Sequence, residues 1–191
     1  MIRIIGGTAK GRRLRTPTGE NTRPTSDRVR EALFSSVESA SGSMSGLRFL
    51  DLYAGSGAVG LEALSRGATA ATLVEHDKRT AALIRENART LGLPAEVLTS
   101  TVVRALGRLP VSSYDVVFID PPYSLPAEKL VADLAGLRAN GWLNEGAVVI
   151  VERATRDGGF GWAEGFVGDR SRRYGETTLW YGHAAGQQRF G

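Results

Sequence analysis

The stretch VFIDPPY, residues 117–123, sets an acid, two prolines and an aromatic ring in direct succession after an apolar run. Proline has no N–H and holds φ near one value, so at the end of a buried strand the two proline carbonyls turn outward as acceptors. Asp120 adds a third acceptor and Tyr123 a ring face. Asp120, Pro121, Pro122 and Tyr123 could therefore receive two N–H donors of a flat amine-bearing ring and stack on it, chemistry suited to the exocyclic amino group of a nucleobase. The alternative is a strand that stops at Pro-Pro with a tyrosine in the core.

A second constellation, DLYAGSGAVG, occupies residues 51–60. Gly55, Gly57 and Gly60 satisfy G-x-G-x-x-G, whose small residues let backbone approach a ligand and let a helix pack closely on a strand. A nicotinamide or flavin cofactor fits that motif, and an oxidoreductase is the corresponding alternative. Glu75 fits either reading, because both ligands offer ribose hydroxyls to a carboxylate. Asp51 favours a different ligand. A pyrophosphate would be repelled by a carboxylate just before the loop, whereas a ligand carrying an ammonium and a sulfonium would be drawn to it. Asp51 could also serve the fold alone by capping the turn.

These residues need a scaffold, and the chain reads as alternating strands and helices. Residues 1–24 are extended and turn-rich. From Thr25 or Ser26 a helix begins, with Val29, Leu33 and Val37 on one apolar stripe and Arg28, Glu31 and Ser35 opposite. After a Ser/Gly linker come LRFLDLY as a buried strand, a helix from Ala58 to Arg66 stopped by Gly67, and ATAATLVEH as a second strand. Asp77 then caps a helix that Gly92 ends. AEVLTS, YDVVFID and GAVVIVER supply further strands, separated by TVVRALGRL and PAEKLVADLAGLRAN as helices. FVGDRSRRYGETTLWY reads as an antiparallel hairpin turning near Tyr174 and Gly175. Such alternation gives a parallel sheet covered on both faces, with an antiparallel end.

Length and composition bound the rest. A chain of 191 residues with 42% hydrophobic and 23% charged residues can bury one core, and no apolar run approaches the roughly 20 residues of a spanning helix. The absence of cysteine removes disulfides and thiolate metal sites, and His76 and His183 lack partners at ligand spacing, so no metal is expected. No secretory signal is legible, so the expected location is cytoplasmic, with a monomer as the default state. The net charge of +4 is uneven. Residues 1–30 hold eight Arg or Lys against two acids, a net of +6, and the other 161 residues hold sixteen bases and eighteen acids, a net of −2. A concentrated cationic end is the footprint of phosphate contact. The alternative is a solvated charged tail.

The pieces RIIGGTAKGRRL, TRPTSDRVREALF, DLYAGSGAVGLEALSRGA and VFIDPPY together resemble the RsmD family of bacterial small-subunit rRNA guanine methyltransferases, from about residue 2 to residue 182. Tyr53 stands where that family usually has Phe, and Ser100 and Thr101 where related enzymes often carry Asp or Asn. The resemblance implies a Rossmann-like, S-adenosylmethionine-dependent methyltransferase fold: a mostly parallel seven-stranded doubly wound sheet with an antiparallel C-terminal strand. It implies a basic β-hairpin extension over 1–24 for RNA contact, the catalytic domain over 25–182, and a flexible tail over 183–191. It further implies S-adenosyl-L-methionine held by Asp51, Tyr53, Ala54, Gly55, Ser56, Gly57, Glu75, His76, Thr101 and Val102. The substrate would be the 2-amino group of a guanine in 16S rRNA within the small ribosomal subunit. Asp120, Pro121, Pro122 and Tyr123 would act on the base, and Arg3, Lys10, Arg12, Arg13, Arg15, Arg23 and Arg28 would contact RNA, Arg23, Thr25 and Arg28 alternatively closing over the cofactor. Methylation of adenine or another base in RNA or DNA is the nearer alternative, and an inactive RNA-binding module of the same fold the non-enzymatic one.

Overall fold

The computed structural model describes residues 1–18 and 25–186. Seven strands form one sheet: β3 (Arg48–Leu52), β4 (Ala70–Glu75), β5 (Ala95–Thr99), β6 (Tyr114–Ile119), β7 (Leu143–Ala154), β8 (Phe166–Tyr174) and β9 (Thr177–Ala184). Their order across the sheet is β5-β4-β3-β6-β7-β9-β8. The first five run parallel, and β9 enters antiparallel between β7 and β8. The chain thus winds outward from β3 to β5 and returns to β6, which opens a crevice beyond the carboxyl ends of β3 and β6.

Strand side chains alternate between two apolar layers, as a sheet buried on both faces requires. Phe49, Leu73, Val116, Phe118, Ile150, Leu179 and Tyr181 pack with helices α1 (Asp27–Ser41), α2 (Ala58–Ser65) and α3 (Lys78–Leu91). Leu50, Leu52, Val74, Val117, Ile119, Val149 and Val151 pack with α4 (Val102–Leu106) and α5 (Ala127–Ala139) on the other face. Local chemistry sets the helix ends. The Ser26 hydroxyl accepts from Val29 N at 3.2 Å, the Asp77 carboxylate accepts from Thr80 N at 2.8 Å, and Gly92 ends α3 in the left-handed region at φ 67°. Helix α2 is buried at all eight positions, which explains why its sequence is apolar all round.

The N-terminal strands β1 (Ile2–Arg3) and β2 (Arg13–Leu14) pair antiparallel as the expected hairpin, and the segment that carries them packs onto the domain. Ile2, Ile4, Ala9 and Leu14 belong to the α1–α3 core layer. Glu62, fully buried on α2, accepts the amides of Ile5 and Gly6, the Ser65 hydroxyl accepts Ala9 N, and Asn87 brackets the Arg15 backbone. At Gly7 (φ 77°) a Cβ would stand 1.8 Å from the Ser65 carbonyl, so only glycine lets the segment lie this close. At the other end, the tail expected from residue 183 is taken up by β9 as far as Ala184. His183 pairs with Val148 and Val167, and its Nδ1 lies 2.9 Å from the Asp169 carboxylate, so strand pairing outcompetes the small, polar composition there. Residues 187–191 lie outside the described residues.

Candidate active site

Four of the five parallel strands deliver an acid at the carboxyl end: Asp51 on β3, Glu75 on β4, Asp120 just after β6 and Glu152 on β7. All four line one cavity of about 800 Å³. Asp51 is fully enclosed, and its Oδ2 accepts Gly60 N at 2.9 Å from the first turn of α2. Burial, offset in part by that amide and reinforced by the Glu75 charge, pushes its carboxyl up to about 7. Glu75 accepts Gly55 N at 2.9 Å through Oε2 and Asp77 N at 2.9 Å through Oε1, with exposed His76 3.2 Å away.

The glycine loop divides its labour. Gly55 (φ 57°) has nothing within 4 Å of where a Cβ would point, so open space lies over its backbone. Gly57 is absent from the cavity wall. It starts α2 in the left-handed region, and a Cβ there would come 2.9 Å from Ile84, so its role is packing rather than ligand contact. Tyr53 is, among the described residues, the non-glycine with positive φ, 61°; its hydroxyl donates to Asp133, and burial plus that carboxylate raise its proton affinity. Strain of this kind persists where the surroundings over-determine it, here at the cavity edge beside Ala54 and Ser56. Thr101 caps α4, accepting Arg104 N at 3.3 Å, and Val102 is buried behind it; both line the cavity with Ser100.

At the end of β6 the structure revises one detail. The Pro122 carbonyl accepts Leu125 N at 2.9 Å, which closes the turn and takes it out of the three acceptors expected there. Tyr123 is 57% exposed at the cavity mouth, with the Arg156 guanidinium 5.6 Å from its ring centre. Thr25 Oγ1 lies 3.0 Å from Glu152 Oε2 and 3.4 Å from Asp120 Oδ2. Burial, then the Glu152 and Asp51 charges, hold the Asp120 carboxyl well above the usual carboxylate range, against a lowering hydrogen bond from Thr25.

A cationic adenosyl ligand fits this cavity better than a dinucleotide. Two of the amides at the loop and the first turn of α2 that would cradle a pyrophosphate, those of Gly55 and Gly60, are already taken by Glu75 and Asp51. The wall carries Asp51, Glu75, Asp77, Asp120 and Glu152 against Lys129 and His76, a field that attracts a sulfonium and an ammonium and repels phosphate. The open space over Gly55 gives such a ligand backbone to lie on.

A family model described as conserved hypothetical protein 95 matches residues 2–183. Ribosomal RNA small subunit methyltransferase D of Escherichia coli strain K12 is 39% identical over 158 residues, 82% of this chain and 77% of that protein. Its namesake in Haemophilus influenzae is 37% identical over 156 residues, covering 79% and 78%. This chain belongs to that family, the RsmD family. The solved Escherichia coli protein yhhF matches this RsmD-family fold with a TM-score of 0.84 at 33% identity, over 97% of this chain and 99% of that one. A hypothetical protein of Thermus thermophilus does so with a TM-score of 0.77 at 33% identity, over 95% and 98%.

Within this RsmD-family chain the residues expected to contact RNA scatter. Arg3 pairs with Asp27 at 3.5 Å, Arg12 donates to the Thr90 carbonyl at 2.9 Å and Arg15 pairs with Glu86, so three guanidiniums are tied to the protein itself. Lys10 is exposed in the turn between β1 and β2, Arg13 is exposed on β2, and Arg28 is exposed on α1 against the Tyr174 ring. Arg23 lies outside the described residues. Glu152, Tyr174 and Thr177 line the cavity without having been singled out from sequence. Only Glu152 left a trace there, as a fourth acid at a strand's carboxyl end. No helix among the described residues is long and apolar enough to cross a membrane.

Proposed function

We propose that this RsmD-family, S-adenosyl-L-methionine-dependent methyltransferase modifies the exocyclic 2-amino group of one guanine in 16S rRNA, in the assembled small subunit. The supporting observation is the pair of carboxyl groups on adjoining strands, Asp120 and Glu152, both within reach of the Thr25 hydroxyl and next to the Tyr123 ring. Guanine presents N1–H beside its 2-amino group, so neighbouring acceptors meet neighbouring donors. Adenine and cytosine place a ring acceptor nitrogen beside the amine, which a second carboxylate repels.

S-adenosyl-L-methionine supplies an electrophilic methyl on a sulfonium. Asp51 and the Gly55 backbone would hold its amino-acid end, Glu75 its ribose, and His76, Thr101 and Val102 its adenine. The guanine amine is a poor nucleophile because its lone pair is delocalised into the ring. Its N–H groups on Asp120 and the Pro121 carbonyl would turn the lone pair toward the methyl, a positioning effect with the charge of Asp120 stabilising the ammonium that develops. The raised proton affinity of Asp120 suits it to take the proton the amine sheds. Tyr123 stacks on a base drawn out of its own stack, at a cost of roughly a few kcal/mol that the contacts offset. The assembled subunit is favoured because the described residues form one layered body without a separate module for reading RNA.

The test is incubation of labelled S-adenosyl-L-methionine with small subunits from a strain lacking this protein, followed by nuclease digestion and mass spectrometry. Wild type should place label on one guanosine as the 2-methylamino form, and Asp120→Ala should lose it while still binding cofactor by calorimetry. Label on an adenosine or cytidine, or equal labelling of protein-free rRNA, overturns the base or the subunit assignment respectively.

A further inference from the structure

Strand β8 is one edge of the sheet, is exposed over most of its length and carries Arg170, Arg172 and Arg173. Beyond the irregularity at Gly168 and Arg170, residues Arg170, Arg172 and Tyr174 stand in register with Tyr181, Leu179 and Thr177 of β9. Tyr181 and Leu179 point into the α1 side of the core, so the side chains of Arg170, Arg172 and Tyr174 share that side. The Arg170 guanidinium covers the Tyr181 ring at 4.8 Å, both Arg170 and Arg172 act electrostatically on the Tyr181 hydroxyl, and the Arg28 guanidinium covers Tyr174 at 5.8 Å. Tyr174 in turn lines the cavity. Three guanidiniums therefore run from the sheet edge, along the seam between β8 and α1, to the mouth above Asp120.

Among the described residues no carboxylate lies within ion-pair distance of Arg28, Arg170 or Arg172, whereas Arg3 on β1 and Arg15 just after β2 are already paired with acids. An aromatic ring under a guanidinium holds the cation in place without neutralising it. The sequence places the excess of positive charge in residues 1–30, but the cations that the fold leaves unneutralised and aligned on the cavity belong mostly to β8.

We propose that the phosphodiester backbone of the RNA substrate runs along this seam, with Arg170 and Arg172 taking phosphates on the way in and Arg28 taking the phosphate nearest the reacting nucleotide. The inference rests on the reading of the chain as an rRNA methyltransferase. It assigns the strand-edge arginines, rather than the N-terminal pair of strands alone, to substrate binding.

The experiment compares wild type, Arg170→Ala/Arg172→Ala and Arg170→Lys/Arg172→Lys. Binding of fluorescent 16S rRNA fragments is followed from about 50 to about 200 mM salt, and methyl transfer to small subunits is measured alongside. Loss of two phosphate contacts should make the log–log salt slope shallower by about 1.4 to 1.8, so wild type loses about tenfold more affinity over that range than the alanine variant. The alanine variant should show a raised KM for subunits with kcat and cofactor affinity kept, and the lysine variant should restore the wild-type slope. An unchanged slope in the alanine variant, or a lysine variant that behaves like alanine, overturns the proposal. Absence of methyl transfer by wild type with the slopes as expected would count against the rRNA methyltransferase reading and leave the seam as a polyanion site.

Discussion

The Asp51 carboxylate accepts the Gly60 amide at 2.9 Å across the start of α2, tying the last turn of β3 to the helix that follows the glycine loop. One residue therefore serves both of the readings its position allows, capping the turn and presenting negative charge to the cavity. Its carboxyl is pushed up to about 7, above its value in an unfolded chain, so the folded protein holds that proton more tightly. The corresponding stability is full below about pH 4 and is lost as the pH rises to about 7, a change of about 4 kcal/mol. Asp51→Asn keeps an acceptor for Gly60 and removes the titration. Denaturant unfolding should find the variant more stable than wild type at pH 8 by a few kcal/mol, with the gap closing toward pH 4, and calorimetry should find its cofactor affinity weakened. A gap that does not change with pH would show that Asp51 is not the group responsible.

Glu62 ties the stability of the fold to the N-terminal wall of the cavity. It is fully buried, receives the amides of Ile5 and Gly6 and the Arg66 Nε, and faces the fully buried Arg30 at 3.9 Å. Glu62→Ala removes one of the two acids beside the enclosed Arg30, Asp27 remaining at 2.6 Å, and leaves two backbone amides unsatisfied. Urea unfolding should register a loss of about 3–5 kcal/mol. Because Met1, Ile2, Thr16 and Pro17 form part of the cavity rim, cofactor affinity should fall with it. A loss under about 1 kcal/mol would mean the N-terminal segment is not held by this acid.

Much of the scaffold was legible because its signals are local. Ser26, Asp77 and Gly92 mark helix ends by their own hydrogen bonds and backbone conformation, and the alternating apolar residues of β3 and β6 need no knowledge of their neighbours. The two motifs converge because both end parallel strands that pair directly, Leu52 lying beside Ile119. What escaped depends on lateral partners. Glu152 reads as an ordinary strand terminus until β7 is laid against β6, and Arg30 reads as a solvent-facing helical charge until the N-terminal strands cover it. The internal partners of the basic N-terminus escaped because Glu86 and Thr90, which receive Arg15 and Arg12, lie more than seventy residues away.

Tyr123 tests the base platform. Its ring is 57% exposed beside the small pocket lined by Asp120, Pro121 and Glu152. Stacking of a base on an aromatic ring contributes about 1–3 kcal/mol. Tyr123→Ala should raise KM for small subunits by roughly 5- to 150-fold, and Tyr123→Phe should stay close to wild type. An alanine variant with wild-type KM would remove the ring from substrate binding.

Thr25 carries the last prediction, on pH. A single hydroxyl proton serves two acceptors, Glu152 at 3.0 Å and Asp120 at 3.4 Å, and its bond to Asp120 lowers a carboxyl that burial and the neighbouring acids raise. Thr25→Val keeps the shape and deletes the bond, so the proton affinity of Asp120 rises further. If the ionised form of Asp120 orients the amine, the rising limb of kcat/KM against pH must move to higher pH in the variant, by up to about one unit for a bond of ordinary strength. On the rising limb the variant should be several-fold slower than wild type, and on the plateau at higher pH the two should converge. A uniform loss of activity at every pH would instead assign Thr25 to packing the first turn of α1 over the cavity, with no influence on the acid it touches.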